Sequence, residues 1–116
     1  IINYAICELC LGNDVAAMQV ISDAIPLNKN YPTLRLMHGV INASRGWGEA
    51  ALEDFTELRD SNVEFSQFIH ETVVKLLQAG QHEFVAGLVK TAALGGFCMP
   101  DTIRLLEAAT GTKESP

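Results

Sequence analysis

The sequence lacks a continuous apolar run of about 18 residues, the length that a membrane-spanning helix needs. It is also poor in basic residues: 8 Lys and Arg stand against 14 Asp and Glu, for a formal net charge of −6. These few cations are scattered along the chain. Because nucleic-acid binding draws its affinity from clustered Lys and Arg, the composition argues against a nucleic-acid partner, and we expect no membrane insertion.

Cysteine is scarce and odd in number, with Cys7, Cys10 and Cys98. An odd count with two cysteines at i, i+3 of one predicted helix argues against a disulfide framework and favours a reducing compartment, so we expect the cytoplasm. The Cys7-x-x-Cys10 spacing matches half of a zinc site, but no second Cys or His pair completes four ligands. We interpret both as buried helix cysteines and predict no metal site.

No group of residues predicts catalysis. His38, His70 and His82 are too far apart in sequence to form a local metal or catalytic motif. Gly95-Gly96 is followed by no Lys or Ser/Thr at the distance that a phosphate loop requires, and it is read as a helix stop. We therefore predict no catalytic residue and no cofactor. Trp47, after a turn glycine, is predicted to cover a hairpin corner.

Three glycines lie 34 residues apart, at Gly12, Gly46 and Gly80. This is the period of helix-turn-helix repeats of the tetratricopeptide kind. Each glycine interrupts an apolar helical pattern where one helix must end, a position that favours a residue able to take positive φ. Other positions keep the same offset. Small or slim residues recur at Ala17, Ala51 and Val85, and apolar residues recur at Ile21, Phe55 and Val89.

The pattern predicts an all-α fold. Seven helices are expected at about residues 1–11, 14–25, 32–45, 48–59, 64–79, 82–94 and 100–109. The last begins with Pro100 and Asp101, a good N-terminal signal, and ends at Gly111; we expect it to cap the open end of the stack. Residues 1–111 are predicted to form one domain and residues 112–116 a disordered tail.

The segment from Gly39 to Leu58 resembles a tetratricopeptide repeat, because it carries that family's Gly, Gly, Ala and Phe at Gly39, Gly46, Ala51 and Phe55. The resemblance implies a helical-hairpin solenoid of three repeats plus a C-terminal capping helix. In such a solenoid the first helix of each hairpin lines a concave face, and function is expected on that face.

Carrying the family's groove positions along the 34-residue register gives a mostly apolar concave face. Its predicted partner-binding residues are Ile2, Ile6, Leu36, Met37, Val40, Val74 and Leu77. The cations that some tetratricopeptide groups use to clamp a C-terminal carboxylate are missing from these positions. An apolar lining that includes Met37 is instead suited to an amphipathic helix of a protein partner.

Small, acidic, degenerate tetratricopeptide proteins with such a groove resemble accessory components of bacterial type III secretion systems, among them needle-subunit chaperones and Hrp-cluster proteins. The closest stretch runs from Leu36 to Leu58. This resemblance implies a bacterial cytoplasmic chaperone that holds an amphipathic apolar helix of a secreted or needle subunit, as a hetero-oligomer or a homodimer, with no bond made or broken.

Two alternatives stay open. One is a generic tetratricopeptide scaffold or adaptor, a fragment of a larger repeat protein; Ile1 falls inside a predicted helix, so further residues are expected before it. The other is a metal-dependent or enzyme-like role built on Cys7, Cys10 and a histidine.

Overall fold

The computed structural model describes residues 1–28, 30–59 and 64–110, with the backbone alone at Thr110. The helices are α1 (Ile2–Cys10), α2 (Asp14–Ala24), α3 (Pro32–Ser44), α4 (Gly48–Glu57), α5 (Phe65–Gln78), α6 (His82–Leu94) and α7 (Pro100–Thr110). A short 3₁₀ turn, Ile25–Leu27, follows α2. The all-α prediction is confirmed, and no strand occurs in these three ranges. Helix bounds agree with the prediction to within two residues.

The three predicted turns share one backbone conformation. Gly12, Gly46 and Gly80 have φ of 85°, 87° and 80°. After each glycine the next N–H donates to the carbonyl five residues earlier, as in Asn13 to Glu8 at 2.8 Å, Trp47 to Asn42 at 2.8 Å and Gln81 to Leu76 at 2.9 Å. This is the Schellman termination, which needs a left-handed residue at that position. Gly96 ends α6 in the same way.

Two other glycines allow helices to approach closely. A Cβ on Gly39 would lie 2.6 Å from the ring of Phe55, so the absence of a side chain lets α4 seat that ring against α3. A Cβ on Gly87 would lie 2.6 Å from the carbonyl oxygen of Ala43, so α6 crosses α3 almost backbone to backbone. Helix α3 is therefore held between α4 and α6.

The third hairpin packs differently from the second. Helices α1, α2, α3 and α4 pack in chain order, each on the next. In a regular stack α5 would then lie on α3 and α4. Among the described helices it is α6 that packs extensively on both of these, while α5 lies mainly against α1, α6 and α7 and meets α4 through the Phe55–Phe65 ring pair. The three-repeat solenoid therefore stays a prediction. Because α6 packs on α3, helix α3 is enclosed by its neighbours.

One hydrophobic core runs through the molecule. Phe55, Phe65 and Phe97 form an aromatic cluster in it, with ring centroids 5.0 to 6.0 Å apart. Helix α7 packs on α5 and α6, and its role as the cap of a stack stays a prediction. The radius of gyration, 13.4 Å, is close to the roughly 13 Å of a compact domain of this length.

Within the described ranges, every helix is too short or too polar to span a bilayer. The predicted disordered tail, residues 112–116, lies outside the described part of the chain.

Candidate functional site

Three of the seven predicted groove residues lie on α3, in the core, and Ile6 of α1 is also a core residue. Leu36, Met37 and Val40 have 0% of their surface exposed. The expectation that these side chains face solvent in the free protein is wrong. The 34-residue register assumed that the next hairpin would continue the stack and leave this face of α3 open. Instead α2, α4 and α6 enclose α3, and nine of its 13 residues are buried.

The other four predicted residues belong to two helices that meet. Ile2 and Ile6 are on α1, Val74 and Leu77 are on α5, and α1 packs against α5. Ile6 is buried, and the other three are half-buried. Between the two helices lies a cleft of about 780 Å³, here called the α1–α5 cleft. It is lined by Asn3, Ile6, Cys7, Cys10, Leu11, Lys75, Gln78 and Ala79.

Two hydrogen bonds hold the helices at one end of this cleft. The Cys10 thiol donates to the backbone carbonyl of Lys75, with Sγ and O 3.7 Å apart. The Gln81 side-chain amide donates to the backbone carbonyl of Cys10 at 3.1 Å. The Cys10 carbonyl lies in the last turn of α1, where helical carbonyl groups lack an intrahelical N–H, whereas the Lys75 carbonyl also accepts from the backbone N–H of Ala79 at 3.1 Å. The two hydrogen bonds fix the spacing of the two helices where the hairpin turns meet.

Among the described residues that line the cleft, Lys75 alone is charged. No described acidic side chain forms an ion pair with it. Burial, and then the neighbouring Cys7, raise the pKa of the Cys10 thiol, and the Lys75 charge acts in the opposite direction. The cleft thus combines an apolar floor, two thiols and one cation without a partner among the described residues.

The prediction of two buried cysteines is wrong for Cys7, which is exposed; Cys10 is half-buried. The i, i+3 spacing places both at the edge of the α1–α5 cleft, where Cys10 contacts the last turn of α5 and Cys7, one turn earlier, stays exposed. Cys98 is also half-buried, and burial raises the pKa of its thiol.

The outer side of α1 carries exposed apolar side chains. Ile1, Tyr4 and Leu11 are 61%, 55% and 71% exposed, and they recur at intervals of three and seven residues along one side of the helix. We call these three residues the α1 stripe. Leu11 belongs both to the stripe and to the cleft, so the two surfaces are continuous. Apolar residues on more than one side of α1 were visible in the sequence and could have indicated this surface.

A polar network between α3 and α4 is the largest feature that sequence reasoning missed. Asp54 is buried and accepts hydrogen bonds from His38 Nδ1 at 2.6 Å and from Asn42 Nδ2 at 3.3 Å, and it forms an ion pair with Arg35 Nε at 3.2 Å. A carboxylate only accepts, so the facing His38 nitrogen carries a proton. Arg35 also pairs with Glu57, and that hydrogen bond, ahead of the other charges, raises the pKa of the guanidinium.

Helix α4 carries four acidic residues, here called the acidic strip: Glu49, Glu53, Asp54 and Glu57. Glu49, Glu53 and Glu57 are exposed, but Asp54 is buried beneath them. Its carboxylate is paired with Arg35, His38 and Asn42 of α3, and these contacts join the two helices of the second hairpin. The polar residues at 35, 38 and 42 share one side of α3, which was the available signal.

The remaining sequence candidates are separate from one another. His70 Nδ1 is hydrogen-bonded to Thr102 Oγ1 at 2.7 Å, linking α5 to α7, and His82 is exposed. Trp47 is half-exposed under the Arg45 guanidinium, 4.0 Å from its ring centroid, rather than packed into a corner. In the described part of the chain, no three His, Cys, Asp or Glu side chains come together as a metal site.

No family model matches this chain, and neither a curated protein nor a solved structure matches it. A function has to be inferred from the side chains themselves.

Proposed function

We propose that this chain is a protein-binding module whose α1–α5 cleft and α1 stripe hold an amphipathic helix of a protein partner. The observation that carries the proposal is the continuity of the two surfaces. An apolar floor at Ile6 passes through Leu11 to the exposed Tyr4 and Ile1. Burying one large apolar side chain contributes about 1.5–3 kcal/mol, so a partner that covers these residues gains substantially.

The architecture that we propose is a set of three tetratricopeptide-like hairpins with α7 as a cap, in which the third hairpin has turned to dock α6 on α3. The shared turn geometry at the three glycines supports a repeated unit. Burial at equivalent positions supports it as well. Ala17, Ala51 and Val85 are all 0% exposed, and Ile21, Phe55 and Val89 are all buried.

The shape of the site favours a helix as the bound element. A cleft between two helices accepts the apolar face of a third, with contacts at every third or fourth residue of the partner. Lys75 lies within the cleft without an ion-pair partner among the described residues. A carboxylate at the edge of the partner's apolar face would satisfy it. The preferred partner is therefore an apolar helix flanked by an acidic residue.

The cellular role that we propose is masking such a helix on a secreted or needle subunit, as a type III secretion chaperone does in the bacterial cytoplasm. Its basis is the resemblance carried by the segment from Leu36 to Leu58. A chaperone of this kind needs an apolar binding surface on a small, acidic chain. The alternative of a scaffold fragment uses the same surface with a different partner.

Binding of designed helical peptides tests this function. A fluorescein-labelled amphipathic peptide with Leu on one face and Glu at its edge is titrated against the protein and followed by anisotropy. Leu11→Asp should weaken binding about tenfold or more, because a hot-spot contact contributes over 1 kcal/mol. Leu94→Asp is the matched control: Leu94 is equally exposed but lies at the end of α6, away from the cleft. Equal affinities for both variants would remove the site.

Charge reversal tests the proposed role of Lys75. Lys75→Glu should lose affinity for the Glu-edged peptide and gain it for a matched Lys-edged peptide. Lys90→Glu, on the exposed face of α6, should change neither affinity. If Lys75→Glu leaves the preference unchanged, the cleft does not select acidic helices.

A further inference from the structure

Cys7 and Cys10 form a dithiol on one side of α1. Both line the α1–α5 cleft, Cys7 is exposed, and Cys10 is half-buried with its Sγ 3.7 Å from the Lys75 carbonyl oxygen. In the described ranges Cys98 is the only other cysteine, and it follows α6 in the link to α7. The two thiols are thus paired with each other by position, and they are open to a ligand that enters the cleft.

Helix geometry decides what this pair can hold. Side chains at i and i+3 of a helix have Cβ atoms about 5–6 Å apart. A disulfide requires a Cβ separation of about 3.5–4.5 Å, so a direct sulfur–sulfur bond would distort the last turns of α1. A single atom bonded to both sulfurs spans the larger distance. The spacing therefore favours a bridging ion over oxidation of the pair.

The chemistry of the surroundings selects the ion. Thiolates select soft ions, whereas calcium and magnesium require oxygen ligands. Zinc takes four ligands, and the described residues supply no third His, Cys, Asp or Glu here. An ion that adopts linear two-coordinate geometry between two sulfurs requires no further ligand. Two thiolates and one monovalent cation together carry a charge of −1, and Lys75 in the same cleft can offset it.

We propose that Cys7 and Cys10 form a two-coordinate site for a soft monovalent ion, copper(I). On binding, two S–H bonds break, two Cu–S bonds form and two protons pass to solvent. No electron is transferred, so no oxidant or reductant is needed. This site does not depend on whether the cleft also binds a helix, because its two ligands, Cys7 and Cys10, are not the residues on which the proposed helix binding is tested.

Anaerobic titration of the reduced chain with copper(I), in competition with the chromophoric chelator bathocuproine disulfonate, tests the site. The expected result is one ion per monomer, with the chain still monomeric by size-exclusion chromatography. Cys7→Ser and Cys10→Ser should each lose this stoichiometric binding, and Cys98→Ser should keep it. Binding that survives in both Cys7→Ser and Cys10→Ser, or a copper-bridged dimer, would overturn the proposal.

Three further measurements sharpen the result. Lys75→Gln should bind one ion more weakly than the wild type, while Lys90→Gln should bind it equally; equal binding by both would contradict the proposed charge compensation.

X-ray absorption should find two sulfur neighbours, and a shell of four ligands would contradict two-coordination. Circular dichroism of Cys7→Ser should match the wild type because Cys7 is exposed. If the two spectra differ, loss of copper binding by Cys7→Ser could result from misfolding, and the test then depends on Cys10→Ser.

Discussion

Equivalent positions of α1 and α3 carry opposite chemistry. Ile1 and Tyr4 of α1 stand 34 residues before Arg35 and His38 of α3. In the second hairpin these positions are polar and converge on Asp54 of α4. In the first hairpin they are apolar and exposed, and the position equivalent to Asp54 is Val20. The same local backbone thus supports a closed polar network in one hairpin and an open apolar stripe in the other.

The turn residues and the helix period therefore determine local structure. The neighbouring helices determine whether a side chain on a given face is buried or exposed. Helix α3 is enclosed by α2, α4 and α6, so its apolar residues form core and its polar residues require internal partners. Helix α1 lacks an equivalent neighbour on its outer side among the described helices. Apolar side chains there remain in water, and covering them is favourable. Binding is therefore expected at α1 and not at α3.

The largest effect that this comparison predicts is at Val40. Val40→Asp would place an unpaired charge in the core, and we expect a loss of several kcal/mol, enough to unfold a small domain. Val15→Asp, on the exposed side of α2, should change the free energy of unfolding by no more than about 0.5 kcal/mol. Circular dichroism with urea titration measures both. A stably folded Val40→Asp protein would mean that α3 is not enclosed.

The next effect concerns the close contacts of the second hairpin. Ala51 is fully buried, and Ala51→Leu should destabilise by about 1–3 kcal/mol because the larger side chain must displace its neighbours. The adjacent Ala50 is exposed, so Ala50→Leu serves as the control and should be nearly neutral. Thermal unfolding of the two variants separates packing from helix propensity. An unchanged melting temperature for Ala51→Leu would count against the proposed packing.

A comparable or slightly smaller effect is expected from the polar network. Asp54→Ala removes the acceptor shared by Arg35, His38 and Asn42, and each buried donor left without a partner costs about 1–3 kcal/mol. Because Arg35 and His38 are partly exposed, water can replace some of the lost hydrogen bonds. We therefore expect the total loss in the free energy of unfolding to lie near the lower end of this range, at about 1 kcal/mol. Glu53→Ala, on the exposed strip, is the matched control. Equal unfolding free energies for the two would show that the network contributes nothing to stability.

The smallest effect is chemical. Cys7 should react with iodoacetamide before Cys10, because Cys7 is exposed whereas burial and the neighbouring Cys7 raise the pKa of Cys10. A raised pKa leaves Cys10 protonated to higher pH, so its reaction should accelerate only under more alkaline conditions than an ordinary thiol needs. Mass spectrometry of peptides from timed reactions measures both rates. Faster reaction at Cys10 would contradict the described surface of α1.

The parts of the fold that were predictable from sequence are local. The three turns were predictable from Gly12, Gly46 and Gly80, because each turn requires positive φ at one residue and glycine adopts it readily. The helices were predictable from the period of the apolar residues. The docking of α6 on α3 was not predictable in this way. It depends on the contact between Gly87 and Ala43, and periodicity does not report which helix comes to lie against another.

The candidate site was predictable only in part for the same reason. Ile6 was assigned to a binding surface and lies in the core at the floor of the α1–α5 cleft, with 5% of its surface exposed, whereas Val40, at the equivalent position 34 residues later, is fully enclosed. The side chains of Ile6 and Val40 are chemically similar. The two positions differ in the helices that cover them. The stripe residues Tyr4 and Leu11 were overlooked because a groove prediction considers one face of a helix at a time.

Amide chemical-shift mapping with the Glu-edged amphipathic peptide is the most direct test that binding belongs to α1 and not to α3. We expect saturable shifts concentrated in α1 and the facing part of α5, with Tyr4, Leu11 and Lys75 among the most affected, and no shift in α3 around Val40. Shifts centred on α3 and α4, or the absence of any saturable shift in α1, would contradict it.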